Sequence, residues 1–242
     1  MFTETPELYD AIYGSFKDYA KETADIASLI RGVHPTCETI LDLACGTGEH
    51  AHRLAVDHGF RVDGVDLEPR LLDIARRKHP NGRFWLADMS TFELPNRYDA
   101  ITCLFSSIGY LRTLDRVEQA LRCFRRHLAP NGVVIVEPWL VPSVITDGHV
   151  SRNVGETDDV RVERVSRTEV DGRLSRLHFE YHIEDASGHR TATEVHELGL
   201  FTRDEMLAAF ANAGLTANHD PEGLIGRGLY VARPSTEAAI SG

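Results

Sequence analysis

Lysine is scarce in this chain: Lys17, Lys21 and Lys78 are the whole complement. Acids outnumber lysine and arginine by 37 to 26, for a formal net charge of −11. A nucleic-acid partner needs a basic stripe to meet its phosphates, so this balance argues against one. The shortage of lysine itself reads as genome composition and points to no mechanism. Cysteine is sparse as well. Cys37, Cys45, Cys103 and Cys123 form no Cys-x-x-Cys pair, which disfavours a zinc site or a dithiol redox motif. No apolar run approaches the ~20 residues of a membrane-spanning helix. Met1 to Glu7 lacks the basic-then-apolar pattern of a secretory leader. A Ser/His/Asp hydrolase elbow is missing too. These absences leave a cytoplasmic enzyme as the expectation, with no membrane, nucleic-acid or metal partner.

What is present is the material for a core. A hydrophobic fraction of 42% over 242 residues is ordinary for a globular protein and fits one domain, or one domain with an insertion. The chain is organised around Leu41-Asp42-Leu43-Ala44-Cys45-Gly46-Thr47-Gly48. A short apolar strand over 39–43 ends in a Gly-x-Gly turn that feeds a helix. Glycines there let the backbone bend and let a ligand approach without meeting a β-carbon. The amides at the helix start point at whatever binds.

Strand and helix then alternate. Strands are predicted over 39–43, 61–65, 83–86, 99–105 and 133–137, with helices over 49–58, from Pro69, and over 115–128. Such a pattern gives an α/β fold with a doubly wound, mostly parallel sheet, whose ligands bind beyond the carboxyl ends of the strands. After Pro138 the texture changes. Three alternating runs over 160–200 are separated by Asp171-Gly172 and Ser187-Gly188, both hairpin signals. We expect an antiparallel sheet inserted over 150–200 that caps the mouth of the main sheet, within one domain spanning 1–242. A helix over 203–213, strands over 215–218 and 229–232 and a loose tail over 234–242 complete the chain. Before the first strand, three tyrosines fall between Tyr9 and Tyr19. They either pack on the core or form a lid whose hydroxyls reach a ligand.

The glycine loop also matches Gly-x-Gly-x-x-Ala, with Asp66 about twenty residues on, which fits a dinucleotide fold. Three details favour another ligand. Asp42 stands four residues before Gly46, where an acid can accept from an ammonium group or a bound water but would repel a pyrophosphate. Asp88-Met89 follows the third strand, where a carboxylate can accept from an adenine amino group and a methionine can pack on the ring. The only Tyr-x-x-x-Lys, Tyr13 to Lys17, precedes the glycine loop, whereas in short-chain dehydrogenases it follows.

Taken together, Asp-Leu-Ala-Cys-Gly-Thr-Gly at 42–48, Asp66, Asp88-Met89 and Ala-Pro-Asn-Gly at 129–132 resemble the class I S-adenosylmethionine-dependent methyltransferases. A closer likeness is carried by Lys17-Asp18-Tyr19, the run from Phe105 to Leu111, Val136-Glu137-Pro138-Trp139 and Gly226-Arg227-Gly228-Leu229. These resemble the dTDP-3-amino-deoxysugar N,N-dimethyltransferases. The chain departs from them at Tyr110, where some have His, and at Leu140, where a second Trp commonly follows the equivalent of Trp139.

The resemblance implies a Rossmann-like core, S-adenosyl-L-methionine as cofactor, a nucleotide-linked amino sugar as partner, and a homodimer in many members. It implies cofactor contacts from Tyr9, Tyr19, Asp42, Ala44, Gly46 and Gly48. Asp66, Leu67, Asp88, Met89 and Leu104 join them. Ser107, Trp139 and Arg227 are the substrate-binding candidates. Tyr110 is the candidate that orients the amine, although a phenol is a poor base at neutral pH and a structural role is nearly as well supported. Two other classes stay open: methyl transfer to another small molecule, and a non-catalytic nucleotide-binding module. The remaining clusters read plainly. His50 and His52 are two apart on a helix and share no face. His178 and His182 fall on the face opposite Phe179 and Tyr181, toward solvent. Cys45 reads as a small packing residue.

Overall fold

The computed structural model describes residues 6–235. The first strand, β1 (Thr39–Leu43), alternates its side chains between two layers. Leu41 and Leu43 enter one core cluster, while Ile40 enters another on the opposite face. Parallel to it run β2 (Arg61–Asp66), β3 (Phe84–Leu86), β4 (Tyr98–Cys103) and β5 (Leu128–Val136). Two later strands, β10 (Leu215–Asp220) and β11 (Leu229–Pro234), extend the edge antiparallel, so the order is β10-β11-β5-β4-β1-β2-β3. One face is covered by α5 (Leu114–His127) and α6 (Arg203–Asn212). The other is covered by α2 (Tyr19–Val33), α3 (Glu49–Val56) and α4 (Pro69–Lys78). This is the doubly wound, Rossmann-like sheet that the alternation predicts. Among the described residues no helix is long and apolar enough to cross a membrane.

The helix starts are chemically marked. Asp18 caps α2 through the Lys21 amide at 2.9 Å. Pro69 sits in the first turn of α4, as expected, and Thr202 with Glu205 forms a capping box on α6.

Several strand ends differ from expectation. β4 stops at Cys103 because Phe105 and Ser106 turn left-handed, at φ 51° and 64°. A bond of 2.6 Å from the Phe105 amide to the Glu137 carboxylate holds that turn at the ligand edge of the sheet. The turn expected at Pro130-Asn131-Gly132 is absorbed into β5 as an irregularity: the register jumps from Tyr98↔Leu128 to Ala100↔Val133. Pro234, expected to open the tail, closes β11; positions 236–242 lie outside the described residues.

The second sheet is β6 (Val150–Glu156), β7 (Val160–Asp171), β8 (Leu174–Asp185) and β9 (Gly188–Gly199), antiparallel in that order. The three runs expected over 160–200 are β7 to β9, and β6 is an addition. It escapes a hydrophobic reading because Ser151 and Asn153 turn to a polar cavity, while Gly155 is the buried position. Gly155 is glycine for a steric reason. A β-carbon there would lie 2.3 Å from the carbonyl oxygen of Ala11 in α1 (Tyr9–Gly14). We expect Gly155→Ala to lower stability by about 1–3 kcal/mol through overpacking, read as a fall in thermal midpoint. An unchanged midpoint would show that α1 is not seated on β6.

Candidate functional site

Past the end of β1 the backbone is left-handed at three alternate residues: Ala44 (φ 54°), Gly46 (φ 56°) and Gly48 (φ 73°). Glycine adopts this without strain, alanine at some cost. Gly48 opens α3 against α4, where an added β-carbon would stand 2.9 Å from that of Ala75. Gly46 leaves open space instead, since among the described residues a β-carbon there would meet only the Tyr9 side chain, at 3.8 Å.

Asp66, the last residue of β2, anchors this loop. Its Oδ2 accepts from the Gly46 amide at 2.8 Å and its Oδ1 from the Glu68 amide at 2.9 Å. Burial raises its pKa, and those amide bonds oppose the rise by favouring the charged form.

A cavity of about 340 Å³ opens at these strand ends. Tyr9, Ala44, Gly46, Asp66 and Leu67 line it, as do Asp88, Met89, Ser107 and Tyr110. Asp88 is already engaged: its Oδ1 accepts from the Ser90 amide and hydroxyl at 2.8 and 2.7 Å, its Oδ2 from Arg116 at 2.8 Å. Burial pushes its pKa up, and the Ser90 and Arg116 bonds more than reverse this, leaving it lowered.

A second cavity, about 460 Å³, lies between the edge of the main sheet and the inner face of the second one. It takes Trp139 and Arg227 from the main-sheet side and Asn153, Arg164 and Ser166 from the other. Tyr9, Ser107 and Tyr110 line both cavities, so they form a common wall. Arg227 packs over Trp139 and Phe105 and donates to Ser106 Oγ at 3.0 Å; burial lowers its pKa.

Four residues singled out from the sequence line neither cavity: Tyr19, Asp42, Gly48 and Leu104. Tyr19 is buried against the His50 ring and beside Lys17, the position of a packing residue. Leu104 belongs to the core under α2 and α3. Asp42 accepts from Thr102 Oγ1 at 2.8 Å and is only 2% exposed. Burial pushes its pKa up to about 6.

The packing role expected of Cys45 fits its place. It is buried, and burial drives its thiol far up in pKa, away from thiolate chemistry. His50 bonds Glu22 at 2.9 Å, and the His178 and His182 side chains are exposed. Sequence reasoning missed Arg116, Arg164 and His196. Arg164 is 6% exposed, held between the Tyr13 and Phe179 rings, and donates to Tyr13 Oη at 2.8 Å.

A family model described as a methyltransferase domain matches residues 40–132. The dTDP-3-amino-3,6-dideoxy-alpha-D-glucopyranose N,N-dimethyltransferase of Streptomyces fradiae is 39% identical, over 97% of this chain and 92% of its own length. The crystal structure of Streptomyces venezuelae DesVI superposes with a TM-score of 0.91 at 37% identity, covering 96% of this chain and 99% of that one. CalS10 of Micromonospora echinaspora, an amino pentose methyltransferase solved with S-adenosylmethionine bound, gives 0.85 at 38% identity, covering 94% and 97%. Fold and site thus define a class I S-adenosylmethionine-dependent methyltransferase. The chain belongs to the family of sugar N-methyltransferases that these relatives represent, and S-adenosylmethionine is its cofactor.

The first cavity fits that cofactor. It offers one carboxylate at the end of β2 and another after β3, apolar Leu67 and Met89 for a planar ring, and the clearance at Gly46 that a side chain would fill.

The ionisation of Asp42 gives a test. Its folded pKa lies above its ordinary value of 3.8, so the native state holds the proton more tightly and stability falls as pH rises through about 4 to about 6. Asp42→Asn keeps an acceptor for Thr102 and removes the charge. It should stabilise the cofactor-free protein by roughly 1–3 kcal/mol at pH 8 and by about half as much at pH 5. Denaturant melts at the two pH values check this, and a pH-independent gain would contradict it.

Proposed function

We propose that this protein methylates the amino group of a dTDP-linked amino-deoxysugar, taking a 3-amino group to its N,N-dimethyl form in natural-product biosynthesis. The observation that carries the reading is the wall of Tyr9, Ser107 and Tyr110 common to two cavities. One cavity has the carboxylates suited to an adenosyl group, and the other has Arg227 beside an aromatic ring. A donor and an acceptor seated on either side of one wall meet at it.

Bound S-adenosylmethionine supplies a methyl group already activated on a positive sulfur. The chain's part is therefore proximity, orientation and exclusion of water. In this reading Asp66 receives the ribose hydroxyls, while Asp88, Leu67 and Met89 hold the adenine. Tyr9 closes the cofactor cavity from above the loop. Arg227 receives the diphosphate: its burial penalises an unpaired cation, and a forked contact to phosphate oxygens offsets that cost. Trp139 packs on the thymine or the sugar, and Ser107 lies at the wall between the two ligands. Burial drives the Tyr110 phenol far above its ordinary pKa. It acts by orienting the amine, which arrives neutral, rather than by taking its proton.

Two substitutions separate the two cavities. Arg227→Ala should raise KM for dTDP-3-amino-3,6-dideoxyglucose at least tenfold, the order of a lost charge-assisted contact (~1.5–3 kcal/mol), and leave S-adenosylmethionine affinity unchanged by calorimetric titration. Asp66→Ala should do the reverse, weakening cofactor binding by ~1–3 kcal/mol. Loss of cofactor affinity in Arg227→Ala, or unchanged cofactor affinity in Asp66→Ala, would contradict the assignment.

A further inference from the structure

Tyr110 lines both cavities, and its hydroxyl is tied from behind. It lies 2.7 Å from His196 Nδ1. The other ring nitrogen, Nε2, lies 3.1 Å from Glu194 Oε2, which also accepts from the Tyr181 hydroxyl at 3.2 Å. His196, Glu194 and Tyr181 are 1%, 7% and 0% exposed. A carboxylate accepts and does not donate, so Nε2 carries the imidazole proton and Nδ1 offers a lone pair. Burial lowers the His196 pKa and Arg164 adds to the effect, against the pull of Glu194, and the net direction favours the neutral ring. Tyr110 therefore donates to His196. Lone-pair density remains on its oxygen to accept from a further donor.

We infer that Glu194 and His196 are positioning residues that hold Tyr110 as a hydrogen-bond acceptor for the substrate amine, and that this contact sets how many methyl groups the nitrogen receives. The inference rests on the reading that places the amine at Tyr110. A hydroxyl free to turn could donate to the amine lone pair, which is the nucleophile, and block it. A hydroxyl committed to His196 can only accept an N–H, which leaves the lone pair pointing elsewhere.

A neutral primary amine has two N–H bonds, and one is held by Tyr110. Methyl transfer forms a C–N bond and breaks a C–S bond, with the electron pair staying on sulfur and a positive charge appearing on nitrogen. One proton then leaves to water. The secondary amine keeps a single N–H, so the same contact orients a second transfer. After the second transfer and proton loss no N–H remains, the contact ends, and nothing orients a third.

The test reads the tautomer first, by nitrogen-15 NMR of the cofactor-bound enzyme, with His196 assigned through His196→Phe. The unaltered protein should show the Nε2–H form. Glu194→Gln presents an amide N–H to Nε2 and should move the ring proton to Nδ1, freeing the Tyr110 proton. With dTDP-3-amino-3,6-dideoxyglucose this variant should lose about tenfold in kcat at a nearly unchanged KM, the order of one misdirected hydrogen bond. It should also accumulate monomethyl product, because the secondary amine has only one N–H to offer. In a Tyr110→Phe background Glu194→Gln should cost nothing further. His196→Phe, which removes the acceptor outright, carries the same kinetic expectation and serves if Glu194→Gln does not fold. An Nδ1–H ring in the unaltered protein, an unchanged product ratio, or additive losses in the double variant would overturn the inference. Absence of turnover by the unaltered enzyme would instead fell the substrate reading. The tautomer, which needs no sugar, distinguishes the two failures.

Discussion

One hydrogen bond, 2.8 Å from the Gly46 amide to the Asp66 carboxylate, joins the ends of β1 and β2, and much of the site hangs from it. Burial alone would favour a neutral Asp66, and the amides around it favour the charged form. The loop that supplies the Gly46 amide has left-handed residues at 44, 46 and 48 and is held by the carboxylate in turn, while the Glu68 amide comes from just past β2. From the loop the dependence passes outward. Thr47 Oγ1 donates to Asp10 at 2.6 Å, and Lys78 donates to the same carboxylate at 2.7 Å, which seats α1 over the glycine turn. The fit of Gly155 against α1, and the Arg164 bond to Tyr13, then seat the second sheet on α1.

The second sheet is tied down by polar contacts as well as apolar ones. Trp139 donates from its indole to Ser175 Oγ at 2.9 Å, and Tyr110 bonds His196. Buried polar contacts add little net stability but penalise any other register, since a misplaced partner leaves a group unsatisfied. Here they fix where the wall between the cavities stands. The same economy governs charge. The chain is acidic overall, yet Lys17 and Arg164 are buried near the ligand edge, and Arg227 is half-buried there. Each is buffered by aromatic rings. Local field at the mouth of the sheet, rather than net charge, is what an anionic substrate meets.

Much of this was legible in the sequence because the main sheet is buried on both faces. Its strands read as apolar runs, and the glycine loop, Asp66 and Asp88-Met89 sit at strand ends that the alternation locates. The second sheet was harder where it faces a cavity. β6 turns Ser151 and Asn153 inward, so hydrophobic alternation cannot find it. In β9 the buried set includes Glu194 and His196, while Val195 is 52% exposed at the first cavity. A rule that sends apolar residues inward therefore reads that strand backwards, and His196 goes unnoticed. Arg164 is hidden likewise, as a charge in an alternating strand that ordinarily faces solvent. Tyr19 shows the converse: a motif tyrosine next to the site in sequence that turns to His50 instead.

The central claim is that two cavities meet at one wall, where the amine and the methyl donor are brought together. The most direct measurement is a crystal structure of this enzyme with S-adenosylhomocysteine and dTDP-3-amino-3,6-dideoxyglucose. The account predicts the adenosyl group between Asp66 and Asp88, the diphosphate on Arg227, and the amino nitrogen within hydrogen-bond distance of the Tyr110 oxygen. A sugar nucleotide bound away from Arg227, or an amine facing away from Tyr110, would contradict it.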